Sequence, residues 1–425
     1  MIQSFIQFWV RPGFTNYSWV NLTFYCVTLC MAPFLGSVVS VFVGSGGVYA
    51  TLHLLTGRLA WALPRPVTLV FFAFAGVFAA DLIAALIHPS LAALREVSEN
   101  LLFLGFAGIY AITFVDRARL LDTVEKAAAA ASLLSIPTAF LMFGGDVRAE
   151  MAAGNPSVLA LVGGLLYLLN IGAAGRRWNR SALLHLAAAA CAAYLVIMTG
   201  TRAMWPVLIV VPLLSLFIHH SLKRIVPGLS VLIVVFGGLT ALLATYSQTF
   251  EMRIGAVVSD VDAIAAGDLS GSLGQRVRLY EAGYALASER PIFGYGPGNE
   301  REAMARKTRE LSGESIAFSH AHNAALTTML RSGLLGLVAL AALVIVPVVV
   351  AFRAHKDEAG KAGFFILSGV MILYLCSGLV GLMLGHDIHD AVFVSAMCFS
   401  LYLVFGRVEP QKPDEAQGRP SGSGP

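Results

Sequence analysis

Charged residues are scarce in this chain: they make up 13% of its 425 residues, against 57% hydrophobic. An ordinary soluble domain carries about 25% charge, so the composition excludes a water-soluble globular enzyme and points to lipid. The formal net charge of +4 is too small to argue for nucleic acid as a partner. Cysteine is equally sparse, and Cys26, Cys30, Cys191, Cys376 and Cys398 all fall inside apolar runs. That placement excludes a disulfide framework and a CxxC metal pair, and reads as small packed side chains. The chain also lacks a Walker loop and a GxGxxG turn, so nothing in it marks a nucleotide site. Residues 1–17 lack a continuous apolar stretch ending in a small-residue cleavage site, which makes the first span a retained anchor.

What the chain has instead is apolar runs. Twelve stretches approach the length of a helical span: 18–35, 38–56, 66–87, 99–115, 123–143, 156–174, 181–199, 203–218, 225–246, 333–352, 362–384 and 388–406. The expected fold is an all-α integral membrane protein of about twelve transmembrane helices, with one large loop between spans 9 and 10. Residues 1–246 hold the first nine spans and 247–321 the loop with short helices. Residues 322–406 hold the last three spans, and 407–425, rich in Pro, Gly and Ser, form a disordered cytoplasmic tail.

Lys and Arg mark alternate connections, as with Arg117 and Arg119, Arg176, Arg177 and Arg180, and Arg353, Lys356 and Lys361. The opposite short connections hold only Arg95, Arg148 and Arg202. By the positive-inside rule both termini are cytoplasmic, and the loop faces the periplasm from a bacterial inner membrane. A reaction there has no ATP or nucleotide sugar, so a synthetic one needs a substrate activated beforehand.

The polar island at 270–336 is where chemistry is expected, because long insertions between spans usually carry function. If residues from Ala321 onward are helical, His322 shares a face with Met329, Gly333 and Gly336, while Arg331 and His320 fall opposite. His322 is then preferred over His320 as a proton acceptor, neutral imidazole being suited to deprotonating a hydroxyl. Upstream, Leu273, Val277, Tyr280, Tyr284 and Ala287 form a helical apolar stripe. Arg276 borders it one turn before Tyr280. Arg278 points away, can pair with Glu281, and is carried as a secondary binding candidate.

Arg202, between spans 7 and 8, sits where Thr201 is an apt N-cap and Pro206 fits the first turns. Free backbone N–H groups and a guanidinium meeting there suit a phosphate. The glycine-rich 294–298 is either a tight turn or a backbone loop that hugs a ligand. Asp81 lies inside a span, where it needs a partner or a proton. His386, Asp387, His389 and Asp390 crowd one connection, as a polar rim to the site or, less favoured, a metal site.

Together these residues resemble a known family. His322-Asn323, nine residues, Gly333, two residues and Gly336 is similar to the pattern of O-antigen ligases and the related O-antigen polymerases. Arg276 before Tyr280, followed by Pro291 and Gly294-Tyr295-Gly296, resembles the family segment upstream, as does Thr201-Arg202 at the start of a span. Tyr280 departs mildly from the commoner Trp.

The resemblance implies a C-type (GT-C-like) membrane glycosyltransferase that moves a glycan from an undecaprenyl diphosphate carrier to an acceptor hydroxyl, without metal, nucleotide or other cofactor. Carried over, Arg202 and Arg276 bind the diphosphate and His322 acts as general base. Tyr280, Asn323 and Arg278 line the substrate. The acceptor is lipid A-core in a ligase, or a second carrier-linked glycan in a polymerase; membrane lipids are the other partner. Ligase is favoured, polymerase is the first alternative, and a glycan-lipid transporter the second.

Overall fold

The computed structural model describes residues 18–56, 63–143, 149–177, 179–220, 230, 237–238, 245, 248–313 and 320–407. Among them every regular element is helical. The first helices are Ser18–Cys30 (α1), Ala32–Leu35 (α2), Val38–Leu55 (α3), Arg65–Ile87 (α4) and Leu91–Glu99 (α5). A 3-10 turn at Asn100–Leu104 leads into Gly105–Ala111 (α6), followed by Arg117–Phe143 (α7), Pro156–Arg176 (α8), Arg180–Met198 (α9) and Trp205–His219 (α10). The island contributes Gln248–Ala265 (α11), Ser272–Glu289 (α12) and Glu300–Ser312 (α13). Ala324–Phe352 (α14), Glu358–Val380 (α15) and Asp387–Phe405 (α16) close the chain.

Nine helices among the described residues are long and apolar enough to cross a membrane: α3, α4, α7, α8, α9, the Arg202–His219 stretch that includes α10, α14, α15 and α16. Nine of the twelve expected stretches are therefore matched. The stretch 18–35 is instead split at Met31, whose backbone leaves the helix before Pro33 begins a new turn. The stretch 99–115 is a 3-10 turn joined to a seven-residue helix. Both were expected as spans from their apolar composition, which carries no information on helix continuity. The stretch 225–246 lies largely outside the described residues, as do the N-terminal 1–17 and the tail from 408.

Two helices form the interior. Nearly every residue of α16 and most of α8 is buried, and both read apolar on all sides, as a helix surrounded by others must. Around them α3, α4 and α14 keep long apolar rows on the outside, such as Leu55, Phe72, Leu86 and Val338. In lipid such rows need no partner, and helix association rests on close packing and polar contacts instead. Phe74 stacks on Phe106 at 4.7 Å and meets Phe393 at 5.7 Å, which ties α4, α6 and α16 together.

The polar contacts are concentrated at the two ends of the bundle. At one end Glu125 of α7 is buried and pairs with Arg176 and with Arg177, the latter at 2.7 Å. Arg177 donates to His185 Nε2 (3.1 Å), whose Nδ1 donates to Asn170 Oδ1 (2.9 Å), which joins α7, α8 and α9. At the other end lies the island.

Candidate active site at the island end of the bundle

Helix α12 buries Leu279, Ala282 and Leu286 in one cluster with Ala303 and Met304 of α13 and Leu326 and Leu330 of α14. The expected stripe through Tyr284 is rotated from this face; Tyr284 is 68% exposed. Gly283 explains the error. Leu326 packs where its Cβ would be, at 2.7 Å, so the contact centres on a residue with no side chain to register as apolar. Arg276 lies three residues before Leu279 and seven before Gly283, on the buried face. Arg278 lies near enough to Asp268 to act on its charge.

The glycine of the His-Asn-Gly pattern has a specific task. Gly333 adopts φ +64° and ψ −154° and breaks α14 into two helical pieces. The turn after α12 fills the break: Tyr295 N donates to Leu330 O (2.7 Å), Gly296 N to Arg331 O (3.0 Å) and Leu334 N to Pro291 O (2.8 Å). A Cβ on Gly333 would lie 2.2 Å from the Ile292 carbonyl oxygen, and one on Gly294 2.5 Å from that of Leu330. The 294–298 glycines therefore hug the protein's own backbone, which decides for the turn over the ligand loop. Asn299 anchors the other side, donating to His88 O (3.0 Å) and accepting from Ser90 Oγ (2.6 Å).

His322 is not on the helix. Asn323 is the N-cap of α14, its Oδ1 accepting from Leu326 N at 3.0 Å, so the helix begins at Ala324. His322 precedes the cap with φ +50°, the left-handed region that costs a non-glycine residue strain and is enriched at functional sites. Tyr280 Oη donates to the His322 carbonyl (3.1 Å), and the His322 ring donates to the Val380 carbonyl. A ring that donates at one nitrogen keeps its basic lone pair on the other. Because the segment is not helical, the expectation that His320 and His322 face apart is wrong: their ring centroids are 4.4 Å apart.

Burial lowers the His322 pKa, and the Arg276 guanidinium lowers it further. His320 is pushed down to about 4 by burial, then by His322, Arg301 and Arg276. Both imidazoles are therefore neutral at pH 7 and able to accept a proton. Arg276, Tyr280, His320 and His322 form one group.

Arg202 begins a single 3-10 turn, Arg202–Met204, ahead of α10. Thr201 makes no side-chain cap bond, so the expected cap is not formed; its own N–H donates back to Thr199 Oγ1 (3.1 Å). The turn packs on α15, the helix whose last residues accept from His322 and from Asn323 Nδ2 (3.5 Å to Leu379 O).

One residue that sequence reasoning set aside is central. Arg331 is buried, pairs with Asp81 of α4 at 3.0 Å and with Glu96 of α5 at 3.2 Å, and carries the piece of α14 just before the kink. Asn100 Nδ2 and Ser332 Oγ donate to the same Asp81 carboxylate, the former at 2.7 Å. Glu300 is buried beside them, and burial pushes its carboxyl up to about 6 against the pull of Arg331. The signal was Asp81 itself, since a carboxylate inside a span demands a cation.

The 386–390 cluster faces the same group: His386 Nδ1 lies 3.0 Å from Asp387 Oδ1, and Asp390 accepts from Gly385 N at 3.0 Å. No metal-binding set of His, Cys, Asp or Glu occurs among the described residues.

Residues 186–341 match the O-antigen ligase family. An uncharacterized protein of Haemophilus influenzae is 29% identical over 156 residues, which cover 36% of this chain and 39% of that protein. The match thus spans well under half the length of that relative. The family segment starts within α9 and ends within α14, so it contains Arg202, Arg276, Tyr280, His322, Asn323 and the Gly333 break. The resemblance read from the His-Asn-Gly pattern is upheld over this segment, which is similar to the O-antigen ligase family.

Proposed function

We propose that this protein is a membrane glycosyltransferase that moves a glycan from an undecaprenyl diphosphate carrier to an acceptor hydroxyl, lipid A-core being the favoured acceptor. His322 takes the hydroxyl proton as the oxygen attacks the sugar. The bond to the carrier breaks with its electron pair on the diphosphate, whose growing charge Arg276 and Arg202 stabilise. Guanidinium suits this role because it stays charged and grips phosphate oxygens bidentately. Tyr280 and Asn323 hold the His322 backbone and the helix start behind it. Neither metal nor nucleotide has a part in these steps.

The observation that carries the reading is the strained His322, held by its carbonyl and its ring, with the Arg276 charge acting on it. Backbone strain of this kind persists only where the surroundings over-determine it, and such sites cluster at active centres.

The test is transfer by purified protein in detergent, given carrier-linked glycan and acceptor with EDTA and no nucleotide. Product should form. His322→Ala should lower kcat by about 10²- to 10⁴-fold, the usual contribution of a general base, with the protein still monodisperse. Turnover by that variant at the normal rate overturns the base assignment. Offering lipid A-core against a second carrier-linked glycan separates ligase from polymerase.

A further inference from the structure

We propose that His320 and His389 form a proton relay behind His322, which delivers the acceptor proton to the His386–Asp387 pair at the protein surface. The inference rests on the reading of His322 as general base and extends it to where the proton goes.

Four imidazoles gather here from two separate parts of the chain. The His320 ring lies 4.4 Å from that of His322, and the His386 ring 5.4 Å from that of His389. His320 and His389 are near enough to act on each other's charge, which sets the second pair on the side of the first. The second pair ends at an ion-pairing contact, His386 Nδ1 to Asp387 Oδ1 at 3.0 Å, and Asp387 is exposed.

His389 is the unusual member. It is 3% exposed, and neither ring nitrogen has a hydrogen-bond partner among the described residues. A buried imidazole without partners is costly, and each such group in a native structure calls for an explanation. Its backbone is pinned, since Tyr374 Oη donates to its carbonyl at 2.6 Å and the Tyr374 ring meets it edge-on at 6.0 Å. The ring is thus held in place by contacts that leave both nitrogens available. A neutral imidazole has one donor and one acceptor nitrogen, so it can take a proton at one and release another.

The proton balance is simple. The acceptor O–H bond breaks as its oxygen bonds to the sugar, and His322 holds the proton while the diphosphate leaves with the electron pair. His322 then passes the proton through His320, His389 and His386 to Asp387 and water, and returns to its neutral form. A route through the protein is useful when a bulky lipid-linked donor covers the half-buried His322 from solvent.

The experiment measures transfer by the purified full chain over a series of imidazole buffer concentrations, for wild type, His322→Ala, His389→Phe and His389→Gln. His389→Phe keeps the bulk of the ring and removes both nitrogens. Its kcat should fall about tenfold or more with KM for the donor unchanged. Added imidazole should restore it in a saturable way while leaving wild type unaffected. His389→Gln, which has donor and acceptor atoms but cannot carry a proton, should be equally slow and equally rescued.

A normal kcat for His389→Phe, or a loss that buffer does not restore in monodisperse protein, overturns the relay. No transfer by wild type, or normal transfer by His322→Ala, overturns the underlying reading instead. Failure of the relay alone appears as an active wild type, a dead His322→Ala and a normal or unrescued His389→Phe.

Discussion

At the scale of single residues, His322 carries the functional argument through its protonation state. Burial and the Arg276 cation both work against its charged form. The base therefore stays neutral to lower pH than an ordinary imidazole, with its reference near 6.5. Activity should fall on the acid side only below that value. Removing the cation reverses part of the shift, so Arg276→Gln should move the acid limb of kcat/KM to higher pH, besides weakening donor binding. A pH–rate profile of the two proteins checks the sign, and an unmoved limb breaks the link between Arg276 and His322.

The residues of this group were legible in the sequence, whereas their geometry was not. Periodicity carried the helix back through His322, but Asn323 before an apolar run is the stronger sign, because asparagine at an N-cap starts a helix after itself. With the start at Ala324, His322 falls in the left-handed region and meets His320.

At the scale of elements, the break in α14 decides how the site is assembled. Two devices hold it: the 291–296 turn bonded into the gap, and the Arg331 bridge to α4 and α5. Gly333→Ala puts a methyl 2.2 Å from the Ile292 oxygen at a φ that alanine disfavours. The turn must then leave. A loss of several kcal/mol, about 4 or more, is expected from combined overlap and lost bonds, seen as a lower melting temperature in detergent and new protease cleavage near Pro291.

Arg331→Met leaves Asp81 and Glu96 facing each other without their cation, a change that costs about 3–5 kcal/mol for a buried pair. Adding Asp81→Asn removes one of the stranded charges and should recover part of the loss, which a double-mutant cycle of melting temperatures measures. Additive losses would show that the two side chains do not act as a pair.

Asp81 announced that a partner was needed, but neither device was visible beforehand as a contact. The turn could be read as a turn, but its docking partner lies in a different helix, about forty residues on. Arg331 was assigned to the far face from a helix register that the Gly333 break and the Asn323 cap both reset. Gly333 was read as sharing a face with His322; what its missing side chain admits is the turn's backbone, and only three dimensions show that.

At the scale of the whole molecule, apolar runs matched nine helices long and apolar enough to cross a membrane and failed where continuity mattered, at Met31 and at the 3-10 turn before α6. The arrangement also fixes which connections share an end. Arg290 and Asn299 bond to His88, and Arg331 of α14 bonds to Glu96 of α5, so the connection after α4 and the start of α14 lie together. The loop between α14 and α15, with Arg353 and Lys356, is at the far end of a 29-residue helix. That separation turns the charge asymmetry into a testable statement about sides of the membrane.

Ser288 is exposed on α12 and Lys356 is exposed in the far loop. The five native cysteines are buried or half-buried, so they give a low background for thiol labelling. Cysteine placed at Ser288 should react with a membrane-impermeant maleimide in cells whose outer membrane alone is opened. Cysteine placed at Lys356 should react only after the inner membrane is breached. The reverse pattern would put the island in the cytosol, where nucleotide sugars are at hand and a carrier-linked donor is no longer required. His322 and its arginines would then need a different substrate, whatever the family segment resembles.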